Sequence, residues 1–316
     1  MSRDAREFSF RRPTLEDVGV VFDLIVRCDV DEYGSQDSDL EDLHFDWRRI
    51  NLTQDAWLAI SAQDRLLGYA AVVPWGPLLR FDLYLDPHLG SLDVGRELLE
   101  RCELRAGQIV HERERTEGID VKIYVAHGNE VQLALVLEAG FKVVRYHFQM
   151  QTDLNESLPQ PEWPDGMQVR SVELGQDVHE IHALIQAAFE EPGRDPQSFD
   201  DWREFMMRED LFEPELWFLA VEKTRLVGAC LCYDYSQEGW IRQLGVREEY
   251  RGMGIGRALL LHAFHVFMGR GQQRAGLTVA STNPGATAFY ESVGMRRVRQ
   301  YDEFEKRIES PSVGIQ

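Results

Sequence analysis

Long apolar runs are missing from this 316-residue chain. No stretch approaches the roughly 18 consecutive apolar residues of a membrane-spanning helix, and the opening MSRDAREFSF has no apolar centre of the kind a secretory signal needs. Cysteine is scarce as well. Cys28, Cys102, Cys230 and Cys232 are too few and too scattered for a disulfide framework. Cys230 and Cys232 stand two apart on an expected strand, share one face, and read as a buried thiol pair. Basic residues are outnumbered, 34 Lys and Arg against 54 Asp and Glu, and the formal charge of −20 argues against nucleic acid or an anionic membrane as partner. The surplus acid reads as a solubilising surface that also favours small cations. These absences together point to a cytoplasmic protein.

Two phosphate-binding loops and a metal set are lacking too. No G-x-G-x-x-G and no G-K followed by Ser or Thr occurs where a nucleotide would need it. His179 and His182, and His262 and His265, are each three apart on expected helices. No third ligand accompanies either pair, so both read as packed or solvated, and no metal is expected. The acidic clusters Asp37–Asp42 and Asp200–Asp210 read as solvated helix starts.

What is present centres on Trp240 to Arg257, WIRQLGVREEYRGMGIGR. It reads as a strand (Trp240–Val246), a charged turn and a glycine-rich helix start. Gly252, Gly254 and Gly256 alternate before the apolar run Ala258, Leu259, Leu260 and Leu261. Glycines at a helix start leave backbone N–H groups uncovered, and with the positive end of the helix dipole they form an anion cradle suited to a pyrophosphate. Arg251 adds a full charge. Gly245, inside the strand, reads as a bulge or a close backbone approach by a ligand.

The chain also repeats itself. Arg11–Val18 answers Val169–Leu174, Asp46-Trp47-Arg48 answers Asp201-Trp202-Arg203, and Trp57–Gly68 answers Trp217–Gly228. Between the halves, NESLPQPEWPDG (155–166) carries three prolines and has a linker's composition. The expected division is a first domain at 1–154, a linker at 155–165 and a second domain at 166–316. Each half reads strand, two helices, three antiparallel strands, the motif helix, a strand, a helix and a last strand. That order implies an α/β (α+β) fold with a mixed central sheet flanked by helices in each domain.

Arg251, Gly254 and Gly256 in this spacing resemble the acyl-CoA signature of the GNAT N-acetyltransferase superfamily: Arg or Gln, two residues, Gly, one residue, Gly or Ala. Asn283, Ala286, Tyr290, Gly294 and Met295 resemble that family's second motif, in the right order. The two-domain plan resembles the mycothiol-synthase-like group. The resemblance implies two tandem GNAT-like domains and acetyl-CoA as co-substrate, and it implies an N-acetyltransferase acting on a small-molecule amine. It places the pantetheine arm along the strand at Leu244, Gly245 and Val246. It places the pyrophosphate on the backbone of Gly252, Met253, Gly254, Ile255, Gly256 and Arg257, beside Arg251. Asn283 and Ala286 join the cofactor surroundings, and Tyr290 is the general acid.

The repeat also compares one half with the other. Leu85–Arg96 lies over Val246–Arg257 without a gap, so Gly90 replaces Arg251, Ser91 replaces Gly252 and Asp93 replaces Gly254. Val136 replaces Tyr290. The first domain is therefore expected to be degenerate and the second active, with Asp93 repelling a pyrophosphate by several kcal/mol at an effective dielectric near 20. The base stays open. Members of the family carry Glu six residues before the strand-ending valine, and here Trp240 stands there; Glu238, Asp234, the Glu190-Glu191 loop or a water chain are the candidates. The acceptor groove is expected between Phe189–Asp200, the strand near Tyr233–Trp240 and the final strand. Its anions are Glu190, Glu191, Asp195, Asp200, Asp234 and Glu238, and its flat apolar surfaces are Phe189, Tyr233, Tyr235 and Trp240. They suggest a cationic amine, while Arg194 and Arg242 suit a carboxylate. The alternatives are a non-catalytic acyl-CoA-binding or regulatory module, or a mycothiol-synthase-type enzyme with an altered base.

Overall fold

The computed structural model describes residues 8–113, 118–190, 197–235 and 238–309. The chain forms two compact units. One takes the residues up to His147 and those from Gln300 onward, and the other takes Phe148–Arg299.

The first unit contains β1 (Phe8–Arg11), α1 (Val18–Tyr33), α2 (Leu40–Arg49), α3 (Leu52–Asp55), β2 (Ala56–Ser61), β3 (Leu66–Trp75) and β4 (Leu78–Leu85). It continues with α4 (Leu92–Glu112), β5 (Ile119–Ala126), α5 (Glu130–Glu138) and the start of β6 (Lys142–Asp153). Val21, Leu24, Ile25 and Cys28 are the buried stripe of α1 at the three-and-four spacing of one helix face. They pack on the face of the sheet that carries Leu58, Tyr69 and Val73.

The second unit contains β7 (Met167–Ser171), α6 (Val178–Ala188), α7 (Phe199–Met206), β8 (Trp217–Glu222), β9 (Arg225–Asp234) and β10 (Gly239–Val246). After these come α8 (Ile255–Gly269), β11 (Arg274–Ala280), α9 (Pro284–Ser292) and the start of β12 (Arg296–Ile308). Its strands run in the order β7-β8-β9-β10-β11-β6, with β10 and β11 parallel. Strand alternation divides its side chains between two cores. Trp217, Leu219, Leu231 and Tyr233 meet Ile181, Leu184, Trp202 and Met206 of α6 and α7. Phe218, Cys230, Cys232 and Ile241 meet Leu259, Phe264 and Phe267 of α8 on the other face. A mixed sheet flanked by helices, expected from the element order, is the fold found.

The sheet of each unit ends on a strand from the other half of the chain. Residues 301–308 of β12 pair antiparallel with Ala126 to Ile119 of β5, giving the first unit the order β1-β2-β3-β4-β5-β12. The part of β6 after His147 borders β11, and just beyond it Leu154 N–H reaches Gln273 O at 2.8 Å. The proline-rich stretch 155–165 lies within the second unit. There Leu158 and Trp163 pack on the α8 core, and Pro159 O bonds His265 at 3.0 Å.

The expectation that Gly245 marks a bulge is corrected. Gly245 is in register opposite Ala229, and the register shift falls between Ile241 and Gln243, at Arg242. Gly245 is small because α6 lies on it: a Cβ there would come 3.0 Å from Leu184 Cδ2 and 3.1 Å from both Ala188 Cβ and Ile185 Cδ1. Gly245→Val is therefore expected to cost about 1–3 kcal/mol through overpacking. A lowered urea midpoint of unfolding checks this; an unchanged midpoint would refute the close approach.

Candidate active site

β10 and β11 touch along only two rungs, Gly239 with Ala275 and Trp240 with Gly276. Beyond Trp240 the strand continues against β9 alone, so Leu244, Gly245 and Val246 run along an opening between two parallel strands. A single turn, Glu248–Tyr250, then leads to Arg251. Gly252 has φ +78° and Gly254 has φ +87°, the left-handed region that costs an L-residue about 1–2 kcal/mol. A Cβ at either would meet nothing within 4 Å. Both glycines are thus set by backbone conformation, with open space in front of them.

Gly254 is the N-cap of α8 and supplies no side chain to cap it. The first helical N–H bonded to backbone is that of Ala258, to Gly254 O at 2.9 Å. The N–H groups of Ile255, Gly256 and Arg257 have no capping partner among the described residues. Ile255 points its side chain into the α8 core, Arg257 reaches Ser292 O at 3.2 Å, and Met253 is half exposed. Arg251 is exposed, with one long bond from Nε to Val246 O at 3.3 Å. These donors suit a diphosphate.

Asn283 is the cap of α9, its Oδ1 accepting from Ala286 N at 2.9 Å with proline following. Both residues therefore hold the helix that carries Tyr290. That ring lies partly buried on the α8 core beside Phe289, centroids 5.2 Å apart. Its hydroxyl has no hydrogen-bond partner among the described residues. Burial, and then nearby Cys230, push its phenol above the ordinary tyrosine value, so it stays protonated. Cys230 and Cys232 are both buried, their Sγ atoms 3.6 Å apart, as the spacing suggested.

The matching helix start in the first unit is closed. Ser91 Oγ caps α4 by accepting from Val94 N at 3.3 Å, and Gly90 N bonds Asp86 O at 2.7 Å. A Cβ on Gly95 would lie 2.4 Å from Leu135 Cδ1, whereas one on Gly256 would meet nothing nearer than 3.6 Å. Asp93 is ion-paired with Arg96 at 2.7 Å, and Val136 is fully buried where Tyr290 stands in the second unit.

The histidine pairs are packed. His179 stacks on Phe199 at 3.8 Å, His182 bonds Gln197 O at 3.0 Å, and His262 sits edge-on to Phe218. Of the expected acceptor-groove residues, Tyr233 is corrected: it is buried, its hydroxyl donating to the carbonyls of Phe205 and Met206. Asp234 is held by Arg270 at 3.2 Å and by Gln272 at 2.6 Å. Glu191, Arg194 and Asp195 lie outside the described residues. A feature no sequence signal gives is Gln151, on β6, donating to Glu238 at 2.6 Å.

No helix among the described residues is long and apolar enough to cross a membrane. The model of the acetyltransferase (GNAT) family matches residues 178–295. The mycothiol acetyltransferase of Thermobispora bispora is 31% identical over 244 residues, which cover 74% of this chain and 78% of that protein. The crystal structure of a GCN5-related N-acetyltransferase from Sphaerobacter thermophilus superposes with a TM-score of 0.84 at 29% identity, covering 96% of this chain and 97% of that one. A tandem GNAT protein from the clavulanic acid biosynthesis pathway has the same fold (TM-score 0.74, 15% identity), covering 97% of this chain and 100% of that one. Fold and relatives define an α/β acetyl-group transferase. The chain belongs to the GNAT acetyltransferase family.

Proposed function

We propose that the protein transfers an acetyl group from acetyl-CoA to the primary amine of a small molecule, with the chemistry in the second unit. The observation that carries this reading is the uncapped, left-handed glycine start of α8 beside the opening between β10 and β11. Backbone N–H groups there suit a diphosphate, the opening suits an extended pantetheine arm, and buried Tyr290 suits a thiolate leaving group that needs a proton. The first unit has each of these features closed, and we assign it no acetyl-CoA site.

For the acceptor, Glu238 with half-buried Tyr235 and Trp240 favours a cationic amine. The kinship to mycothiol acetyltransferases favours a second reading, a mycothiol-type acceptor. Arg242, over the Phe205 ring at 4.5 Å, suits an anionic group on such a molecule.

Isothermal titration of acetyl-CoA is expected to give one site per chain, and two equal sites would refute the closure of the first unit. A panel of amines, followed by release of free thiol from acetyl-CoA, tests the acceptor. A cationic acceptor should show a KM that rises with salt; activity confined to neutral or anionic amines would reject that class.

A further inference from the structure

We infer that Arg242 and Gln243 form a carboxylate subsite, so that the acceptor is an amine carrying its own carboxylate, an amino acid. This rests on the acetyl-transfer reading above. It joins the two acceptor classes named there in one molecule, cationic at the amine and anionic at the other group.

The bulge makes the subsite. Ile241 lies opposite Cys232 and Gln243 opposite Leu231, so Arg242 is the extra residue. Cys232 belongs to the α8 core, whereas Leu231 belongs to the core of α6 and α7. A regular pleat would carry Gln243 to the α8 face, opposite Cys230. The inserted residue turns it to the α6 and α7 face instead, where Trp202 Nε1 donates to Gln243 Oε1 at 2.9 Å. Arg242 reaches the same face, its guanidinium 4.5 Å from the centroid of the Phe205 ring on α7. Both residues lie just past Trp240, the last rung between β10 and β11, where the opening begins. Tyr290 packs on the opposite face.

The donors of both side chains are unspent. An indole N–H can only donate, so the Gln243 atom facing it is Oε1, and Nε2 with its two hydrogens is directed away. Trp202 is fully buried and holds that orientation. Nε2 meets no acceptor among the described residues, and Arg242 makes no hydrogen bond or ion pair among them. Nearby carboxylates are engaged elsewhere, Glu180 of α6 with Arg247 at 2.9 Å and Asp234 of β9 with Arg270 at 3.2 Å. A guanidinium held over an aromatic ring keeps its N–H fork in its own plane, the geometry that binds a carboxylate through two parallel bonds. Gln243 adds a neutral donor beside it.

The first unit lacks the pair. Phe81 and Asp82 stand at the matching positions of β4, which runs opposite β3 without a shift. Phe81 is buried in the core, and Asp82 is tied to Arg80 at 2.7 Å.

The test uses two pairs of probes that differ by a carboxylate alone, serine with ethanolamine and lysine with cadaverine. Each is titrated into CoA-loaded wild type, Arg242→Gln, Arg242→Lys and Gln243→Glu. Wild type is expected to bind at least one amino acid ~10-fold or more tightly than its decarboxylated partner, the effect of a charge-assisted contact. Gln243→Glu keeps an oxygen for Trp202 and replaces the donor by a negative charge, so the ratio should fall to one or below. Arg242→Gln should lower it likewise. Arg242→Lys, which keeps the charge without the fork, should retain part of it. Because each ratio is taken within one protein, a loss of folded material cancels. Wild-type ratios near one in both pairs, binding of neither amino acid, or a preference undiminished in Arg242→Gln and Gln243→Glu would overturn the subsite and leave acetyl transfer standing. Wild type that does not bind CoA overturns the acetyl-transfer reading and the acceptor class with it.

Discussion

Tyr290→Phe is expected to lower kcat by about 10²-fold or more, the usual contribution of a positioned general acid, while acetyl-CoA affinity stays within about twofold. The substitution removes one oxygen and keeps the ring. Packing beside Phe289 and on the α8 core is preserved, and no hydrogen bond among the described residues is lost. The departing thiolate, whose conjugate acid has a pKa of roughly 8.5, is neutralised when a positioned acid protonates it as it leaves. A phenol raised by burial holds its proton at working pH, so it stays neutral and ready to donate. The expected pH profile therefore has no limb from Tyr290. A normal kcat in the variant would make Tyr290 structural or product release limiting, and single-turnover measurement of thiol release distinguishes the two.

Much of this site is legible in the sequence because it depends on local chemistry. Gly252 and Gly254 must adopt left-handed backbone, which glycine spacing announces, and Asn283 before a proline announces the start of α9. What the sequence leaves hidden depends on distant partners. Gly245 carries the same signature whether it makes a bulge or yields to a helix, and only Leu184 and Ala188 overhead decide which. The bulge at Arg242 has no glycine to mark it. The last strands of the two halves have similar patterns, as do β5 and β11, so nothing local says that β12 pairs with β5. Gln151 and Glu238 are 87 residues apart, and no motif joins them. Tyr233 looks like a groove aromatic until its hydroxyl is found on the carbonyls at the end of α7.

Gly254→Asp is expected to weaken acetyl-CoA binding by about 10²–10³-fold. The chain already contains this change: the matching residue at the start of α4 is Asp93, in the unit whose helix start is closed. Two effects add at Gly254. Its φ of +87° strains any side chain, though Asp and Asn tolerate that region better than most. The larger effect is charge. A carboxylate roughly 4 Å from a phosphate repels it by ~4 kcal/mol at an effective dielectric near 20, reduced somewhat by salt at this exposed position. The fold itself should survive, because an acidic residue at a helix N-terminus is favourable there. Gly254→Asn separates the two effects, since it has the same shape and backbone demand but no charge. It should retain most of the affinity that Asp loses, and raising ionic strength should narrow the gap between them. If Asp and Asn weaken binding equally, backbone strain rather than charge controls the loop. If neither variant weakens it, the diphosphate is held elsewhere and the α8 start is not its site.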